Sequence, residues 1–398
     1  MQTGWTRSHE PAQEPAAHRS ALLLRWMGYA SLISGCAVRN HVALSQTGCI
    51  KRTLLNGQLS ATRKASASVD VLTDYELARS AAQGSLAQMV GMHSIAPDNE
   101  DLLFMLTKSW TLYGYIFAQD DMDRVDETSA EYKLHKQRAF DAYARATAYS
   151  KELIALHEDG YAEARKNNPT LRAWLDDKFD DKEDAAPLFW TAYAEFARIT
   201  LSKDDPAAVA ELFVPVALME RSMALDPDYF SSNSLVALGS YHARSAGAEP
   251  EEAKKMFELA LQKTERKALL TQLAYARSYA CVMQDRPLHD ALIKEVLSTR
   301  IPVDSKFGMA NTIAQRRARR AIEPAGLVAC GFDPKVKTDI GADPDDFMAD
   351  EAPVAKPTQV VPAKPMEAAA LPAPAAPSLL PKPAAVAKPA IKPPAKKK

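Results

Sequence analysis

The sequence predicts an all-α fold, an irregular bundle or α-solenoid of helix hairpins. Three observations predict it. The middle of the chain is rich in Ala, Leu, Glu, Lys and Tyr, and the 398 residues hold only 15 Gly, a balance that favours helix. Apolar residues recur at three- and four-residue spacing, as at Leu103, Leu106, Trp110, Tyr113 and Phe117, which places a stripe on one helical face. No convincing run of strand-like alternation closed by hairpin turns appears.

Between Asp70 and Gly331 these patterns divide into about ten to twelve helical segments. The first runs from Asp74 to His93 and stops before "APDN"; Glu100 to Phe117 follows, then the long stretch from Glu131 to His157. Pro187 to Lys203 opens with a proline that a first helical turn tolerates. Asp205-Pro206 supplies a cap and a first-turn proline for the next helix, in which Pro215 is expected to make a kink. Tyr229–Ser245, Pro250–Gln262, Lys267–Met283, Pro287–Ser298 and Ser305–Ala321 complete the set.

Small residues organise the pairing. Ala253, Phe257 and Ala260 stand at the small–large–small spacing of the second helix of a tetratricopeptide unit, and Ala139, Tyr143 and Ala146 repeat it. Leu238-Gly239 is the matching close-contact pair of a first helix. The turn signals "APDN" and "DPDY" lie much further apart than one unit of about 34 residues. Divergent tetratricopeptide-like repeats with other helices between them are therefore expected.

The two ends differ from this body. Residues 332–398 form an expected tail that from Pro353 onward is Pro, Ala, Val and Lys and holds twelve of the 26 prolines. Proline lacks the N–H a helix needs, so this tail is expected to be extended and unpacked. At the amino end, residues 1–49 read as a signal peptide and lipoprotein anchor region, and 50–69 as a linker. "WMGYASLIS" follows Arg25 and runs into Gly35-Cys36, matching a secretory h-region and a bacterial lipobox. Cys49, in "LSQTGCIKRTLLNG", is the second candidate for the lipid, although the residues before it are less apolar. Either cysteine would tie the body to a membrane and leave it in the periplasm. There Cys281 and Cys330 are candidates for a disulfide, with buried inert thiols as the alternative.

Acidic and basic residues nearly cancel, 50 against 49, so no global field draws nucleic acid or an anionic membrane. No apolar run reaches the roughly 20 residues of a spanning helix. Signatures for a catalytic serine, a zinc protease, a Walker loop, a dinucleotide fold and a redox Cys-x-x-Cys are absent, and no two histidines stand at i, i+4. No cofactor and no metal are expected. Asp120, Asp121 and Asp123 resemble the start of a calcium loop but lack its glycine and its closing glutamate. "DDKFDDKED" (176–184) reads as a solvated loop. "RRARR" (316–320) reads as arginines spread around the surface of a final helix, near the negative end of its dipole. The aromatic helices are the ligand candidates: Trp110, Tyr113, Phe117, Phe189, Trp190, Tyr193 and Phe196 either line an apolar cavity or fill a core.

Four stretches occur in order: "PLFWTAYAEFARI", "ALMERSMALDPDYFSSNSLVALGSYHA", "EEAKKMFELAL" and "ANTIAQRRARRAI". Together they resemble the T-component (TatT-type) proteins of tripartite ATP-independent periplasmic (TRAP) transporters, over about residues 49 to 330. The resemblance implies a periplasmic, usually lipid-anchored helical protein that forms a homotrimer and binds a solute-binding subunit; the expected anchor is the outer membrane of a bacterium. The resemblance also implies a channel for a small apolar or amphiphilic ligand; the missing nucleophile, base and metal cluster add the expectation of no enzymatic activity. "GCIKRTLLNG" has the form of the family's mature start, so resemblance favours Cys49 where hydrophobicity favours Cys36. The Pro/Lys tail has no counterpart in that pattern. A general tetratricopeptide scaffold lipoprotein for envelope assembly or secretion is the alternative function.

Overall fold

A computed structural model describes residues 57, 59–63, 71–244, 249–336 and 340. Cys36, Cys49, the expected signal segment and the Pro/Lys tail lie outside the described residues. The described part is helical, without a strand among the described residues, as the composition predicts. In chain order the helices are α1 (Tyr75–His93), α2 (Glu100–Tyr113), α3 (Ala130–His157), the short α4 (Tyr161–Ala164), α5 (Asn168–Lys178), α6 (Ala185–Leu201), α7 (Pro206–Ala210), α8 (Phe213–Leu225), α9 (Asn233–Arg244), α10 (Pro250–Lys263), α11 (Leu269–Tyr275), α12 (Arg286–Ser298), α13 (Gly308–Ile322) and α14 (Pro324–Ala329). No described helix is long and apolar enough to cross a membrane.

Side-chain caps fix many of the starts. Asp74 accepts from Leu77 N at 2.8 Å, Asn99 from Leu102 N at 2.8 Å and Ser129 from Tyr132 N at 3.0 Å. Each satisfies one of the amide donors that the first turn leaves unpaired. Asp205 caps α7 as expected, accepting from Ala207 N at 2.9 Å. The expected kink at Pro215 is instead a break. α7 ends at Ala210, α8 begins at Phe213, and Pro215 sits in the first turn of α8, where its missing N–H costs no helical bond.

The stripe from Glu100 to Phe117 also continues differently. α2 passes at Gly114–Ala118 into a π turn, in which Gln119 N bonds Gly114 O, and then into a last turn, Gln119–Met122. α11 ends the same way at Ala276–Ala280. Each π turn adds one residue to the helical period and shifts the faces that follow. At Gly114 a side chain has no room: an added Cβ would stand 2.8 Å from Tyr143 Cε1. That close approach lets α2 lie against α3.

Successive helices pack as neighbours: α1 on α2, α2 on α3, α3 on α6, α6 on α8, α8 on α9, α9 on α10, and α11 with α12 and α13. The main core gathers α2, α3, α5, α6 and α8 around Leu102, Leu106, Ile154, Leu171, Leu188 and Leu218. A second core holds α10 to α13 around Phe257, Leu269, Ile293 and Ala314. Ala253, Phe257 and Ala260 are fully buried, and a Cβ on Gly239 would come within 3.3 Å of the Phe257 ring. The small residues thus bring α9 and α10 together as their spacing predicts.

Three local findings go beyond the sequence reading. Residues 59–63, within the expected linker, are helical, and Leu59 is fully buried in the main core. α5 occupies a stretch the periodicity left unassigned; Asn167 caps it through Thr170 N at 2.9 Å. In the acidic run 176–184, Phe179 is buried and its carbonyl accepts from Arg221 Nε at 2.8 Å, so the run is anchored at its centre.

Cys281, after the second π turn, is joined to Cys330, after α14, by a disulfide spanning 49 residues. Closing a loop of that length restricts the unfolded chain. Replacing both cysteines by serine is expected to lower stability by about 2–4 kcal/mol, measured by urea unfolding under oxidising conditions. A loss below about 0.5 kcal/mol, the range of an ordinary surface substitution, would show that the bond constrains nothing.

Candidate functional site

α13 returns to the first helices, and there the arginines of "RRARR" do not spread over the surface. Arg316, Arg317 and Arg320 converge on Asp120, which is fully buried in the turn after the first π segment. Arg316 Nη2 lies 3.2 Å from Asp120 Oδ2, and Arg320 donates to Oδ1. Arg317, itself buried, donates to the carbonyl of Tyr115 and stands 4.3 Å over the Tyr115 ring. Arg316 stands 4.0 Å over the Tyr75 ring. Asp121 pairs with Arg79, and Asp123 lies 3.8 Å from Arg277.

The three aspartates that resemble a calcium loop are therefore neutralised by arginines. Burial pushes the Asp120 carboxyl up, but Arg320, Arg317 and Arg316 outweigh it and hold it below its ordinary value. The surface reading of the arginines failed because their partner stands about 200 residues away in sequence, where no local pattern reveals it. Positions 316 and 320 are one helical turn apart on α13, so two guanidinium groups reach one carboxylate.

The seven aromatic candidates fall into two connected groups. On α2 and its π turn, Trp110 and Tyr113 meet edge to face at 6.0 Å, and Tyr113 reaches Phe117 at 5.9 Å. Phe117 in turn touches Tyr75 of α1 at 5.3 Å. On α6, Phe189 and Trp190 are fully buried and contact each other at 5.1 Å, with Tyr193 at 5.8 Å from Phe189. Phe196, a turn further along, faces Tyr241 of α9 at 6.3 Å. Burial, followed by its neighbour Tyr115, pushes the Tyr193 hydroxyl well above its usual range, so it stays a protonated donor. Trp110 Nε1 is buried with no partner among the described residues.

Residues the sequence reading passed over complete the α6 group. Tyr229 accepts a hydrogen bond from Trp190 Nε1 at 2.8 Å, and Phe230 packs on the Trp190 ring at 4.8 Å. Lys108 of α2 brings its ammonium to 5.6 Å from the Trp190 ring and 5.9 Å from Phe230, within the range of a cation–π attraction. Phe230, Ser231 and Ser232 hold φ of 47°, 57° and 58°, the left-handed region that costs an L-residue about 1–2 kcal/mol each. Three such residues in a row persist only where surrounding contacts enforce them, and the packing of Phe230 on Trp190 is one such contact. The motif "DPDYFSS" carried the signal, read only as a turn.

Clefts open at the surface of the described residues. One of about 420 Å³ is lined by Glu249, Pro250, Glu251, Glu252 and Lys255. Another, of about 310 Å³, is lined by residues of the α3 end and Lys178. None of the seven aromatic residues lines either. The aromatic groups are packed against the cores, with Trp110, Tyr113, Tyr193 and Phe196 partly buried at their margin.

Comparison with curated proteins gave no match. Residues 72–325 match the family model described as TRAP transporter T-component, a span from the first turn before α1 to the start of α14. That span covers more than half of the chain and the whole path by which α13 closes on α1 and α2, and on it the chain belongs to the TRAP transporter T-component family.

Proposed function

We propose that this chain is a periplasmic, lipid-anchored accessory subunit of a TRAP-type uptake system that docks the system's solute-binding subunit and assembles as a homotrimer. The family match over residues 72–325 carries the reading, since membership points to an accessory role in a TRAP system. Its work is binding rather than catalysis. The lipid sits on Cys36 or Cys49, and the aromatic groups around Trp110 and Trp190 hold the apolar part of a small amphiphilic ligand. Two features support that last element: the buried, unpartnered Trp110 Nε1 offers one donor, and the Lys108 ammonium beside Trp190 offers one charge. Apolar walls with a few polar groups are what such ligand sites require.

Affinity capture from envelope extracts with the full chain as bait tests the reading. A TRAP solute-binding subunit is expected among the recovered proteins. Recovery of secretion or outer-membrane assembly components alone would sink it and favour a general scaffold.

A further inference from the structure

Three side chains from separate elements meet beside the disulfide. Cys281 follows the second π turn, His289 lies in the first turns of α12, and Cys330 follows α14. Their ligand-capable atoms all lie within 4.8 Å of one another. No pair among them has a metal-motif spacing, which is why the sequence pattern did not reveal the cluster.

The histidine is built as a ligand is built. It is fully buried. Its Nδ1 lies 2.8 Å from Asp290 Oδ1, and Arg286 Nε donates to both oxygens of that carboxylate, at 2.8 and 2.7 Å. A metal-bound histidine commonly gives its second ring nitrogen to a carboxylate in this way, which fixes its tautomer and aims the first. The nitrogen left over, Nε2, is buried and has no partner among the described residues. Phe332 packs on the imidazole at 5.2 Å and Leu327 joins the same apolar cluster, so water is held off. Cys330 is only partly buried and gives access from outside.

We propose that reduction of the Cys281–Cys330 disulfide opens a site for one thiophilic d¹⁰ metal ion, Zn(II) or Cu(I), bound by the two thiolates and His289 Nε2. The reductant is a dithiol donor: its two thiols close to a disulfide while its two electrons and two protons pass to the Cys281 and Cys330 sulfurs. The metal then displaces the two thiol protons, which leave to solvent. Thiolate with imidazole is the donor set such ions prefer. Three protein ligands leave Zn(II) one place for water, or complete a three-coordinate Cu(I) site. Oxidised, the protein holds a covalent staple at this corner; reduced, it holds an ion there.

The test uses the full chain with Cys36→Ser and Cys49→Ser, which removes the only other thiols, reduced with a phosphine under argon. Zn(II) uptake is measured against a chromophoric chelator, Cu(I) uptake against a copper-selective one, and Co(II) serves as the spectroscopic probe. The reduced protein is expected to bind one equivalent with a thiolate-to-cobalt charge-transfer band, and the oxidised protein none. The two chelator titrations decide which ion the site takes. Asp290→Asn keeps all three ligands and is expected to weaken binding about 10–100-fold, while Cys281→Ser abolishes the band. Uptake by the reduced protein no greater than by the oxidised one overturns the proposal. So does uptake indifferent to Asp290→Asn, which would mark binding by an unfolded chain.

Discussion

Replacing Asp120 by asparagine is expected to cost about 3–5 kcal/mol, because it leaves the buried Arg317 and the partly buried Arg316 and Arg320 short of their counter-charge. Asparagine keeps the shape, so the loss isolates the charge. Arg316 and Arg320 both lose an ionic acceptor, and Arg317 loses a neighbour at 3.9 Å. Urea unfolding at pH 7 measures the loss. The pH dependence supplies an independent check. Folding lowers the Asp120 pKa from its ordinary value of 3.8, so its contribution is complete above that value and disappears as the pH falls through the lower folded value. Below about pH 4 the stability of the wild type should therefore fall toward that of Asp120→Asn, narrowing the gap measured at pH 7. A constant gap down to pH 2 would mean that the arginines are satisfied without this carboxylate.

Trp190→Ala should be comparably severe, about 3–5 kcal/mol, since the residue is fully buried and cores relax only in part around such a hole. It also removes the donor to Tyr229 and the surface on which Phe230 packs. For a body of this size the melting temperature would drop by about 2–4 °C for each kcal/mol. The informative second measurement is retention of co-purified amphiphile by native mass spectrometry. Unchanged retention in the destabilised variant assigns the α6 aromatics to the core and ends their part in the proposed function; loss of retention in the milder Trp190→Phe variant supports it.

The fold was legible where its causes are local. Asp205 announces a helix start because a cap acts within three residues of itself. Ala253–Phe257–Ala260 announces a close helix pair because both partners are neighbours in the chain. The π turns were not legible, since no residue pattern at Gly114–Ala118 or Ala276–Ala280 marks one in the sequence. Nor was the Asp120 cluster, or the junction of Cys281, His289 and Cys330, because nothing at 120 or 289 hints at what arrives from 320 or 330. The aromatic candidates were found by type, while Tyr229, Phe230 and Lys108 were missed. A turn and a lysine look ordinary until the fold sets them on Trp190.

The closure of α13 on Asp120 also orders events in time. A chain made from its amino end places residue 120 in a nearly complete helix pair long before residues 316–320 exist. Until they arrive, that carboxylate must stay hydrated, and α2, α3 and α1 cannot take up their final packing around it. Synthesis halted before α13 should yield a product that proteases cut around residues 115–123, whereas the finished chain should resist at the same peptide bonds. The arginines of the last long helix thus reach the first helices only near the end of synthesis, with α14 and Cys330 still to follow.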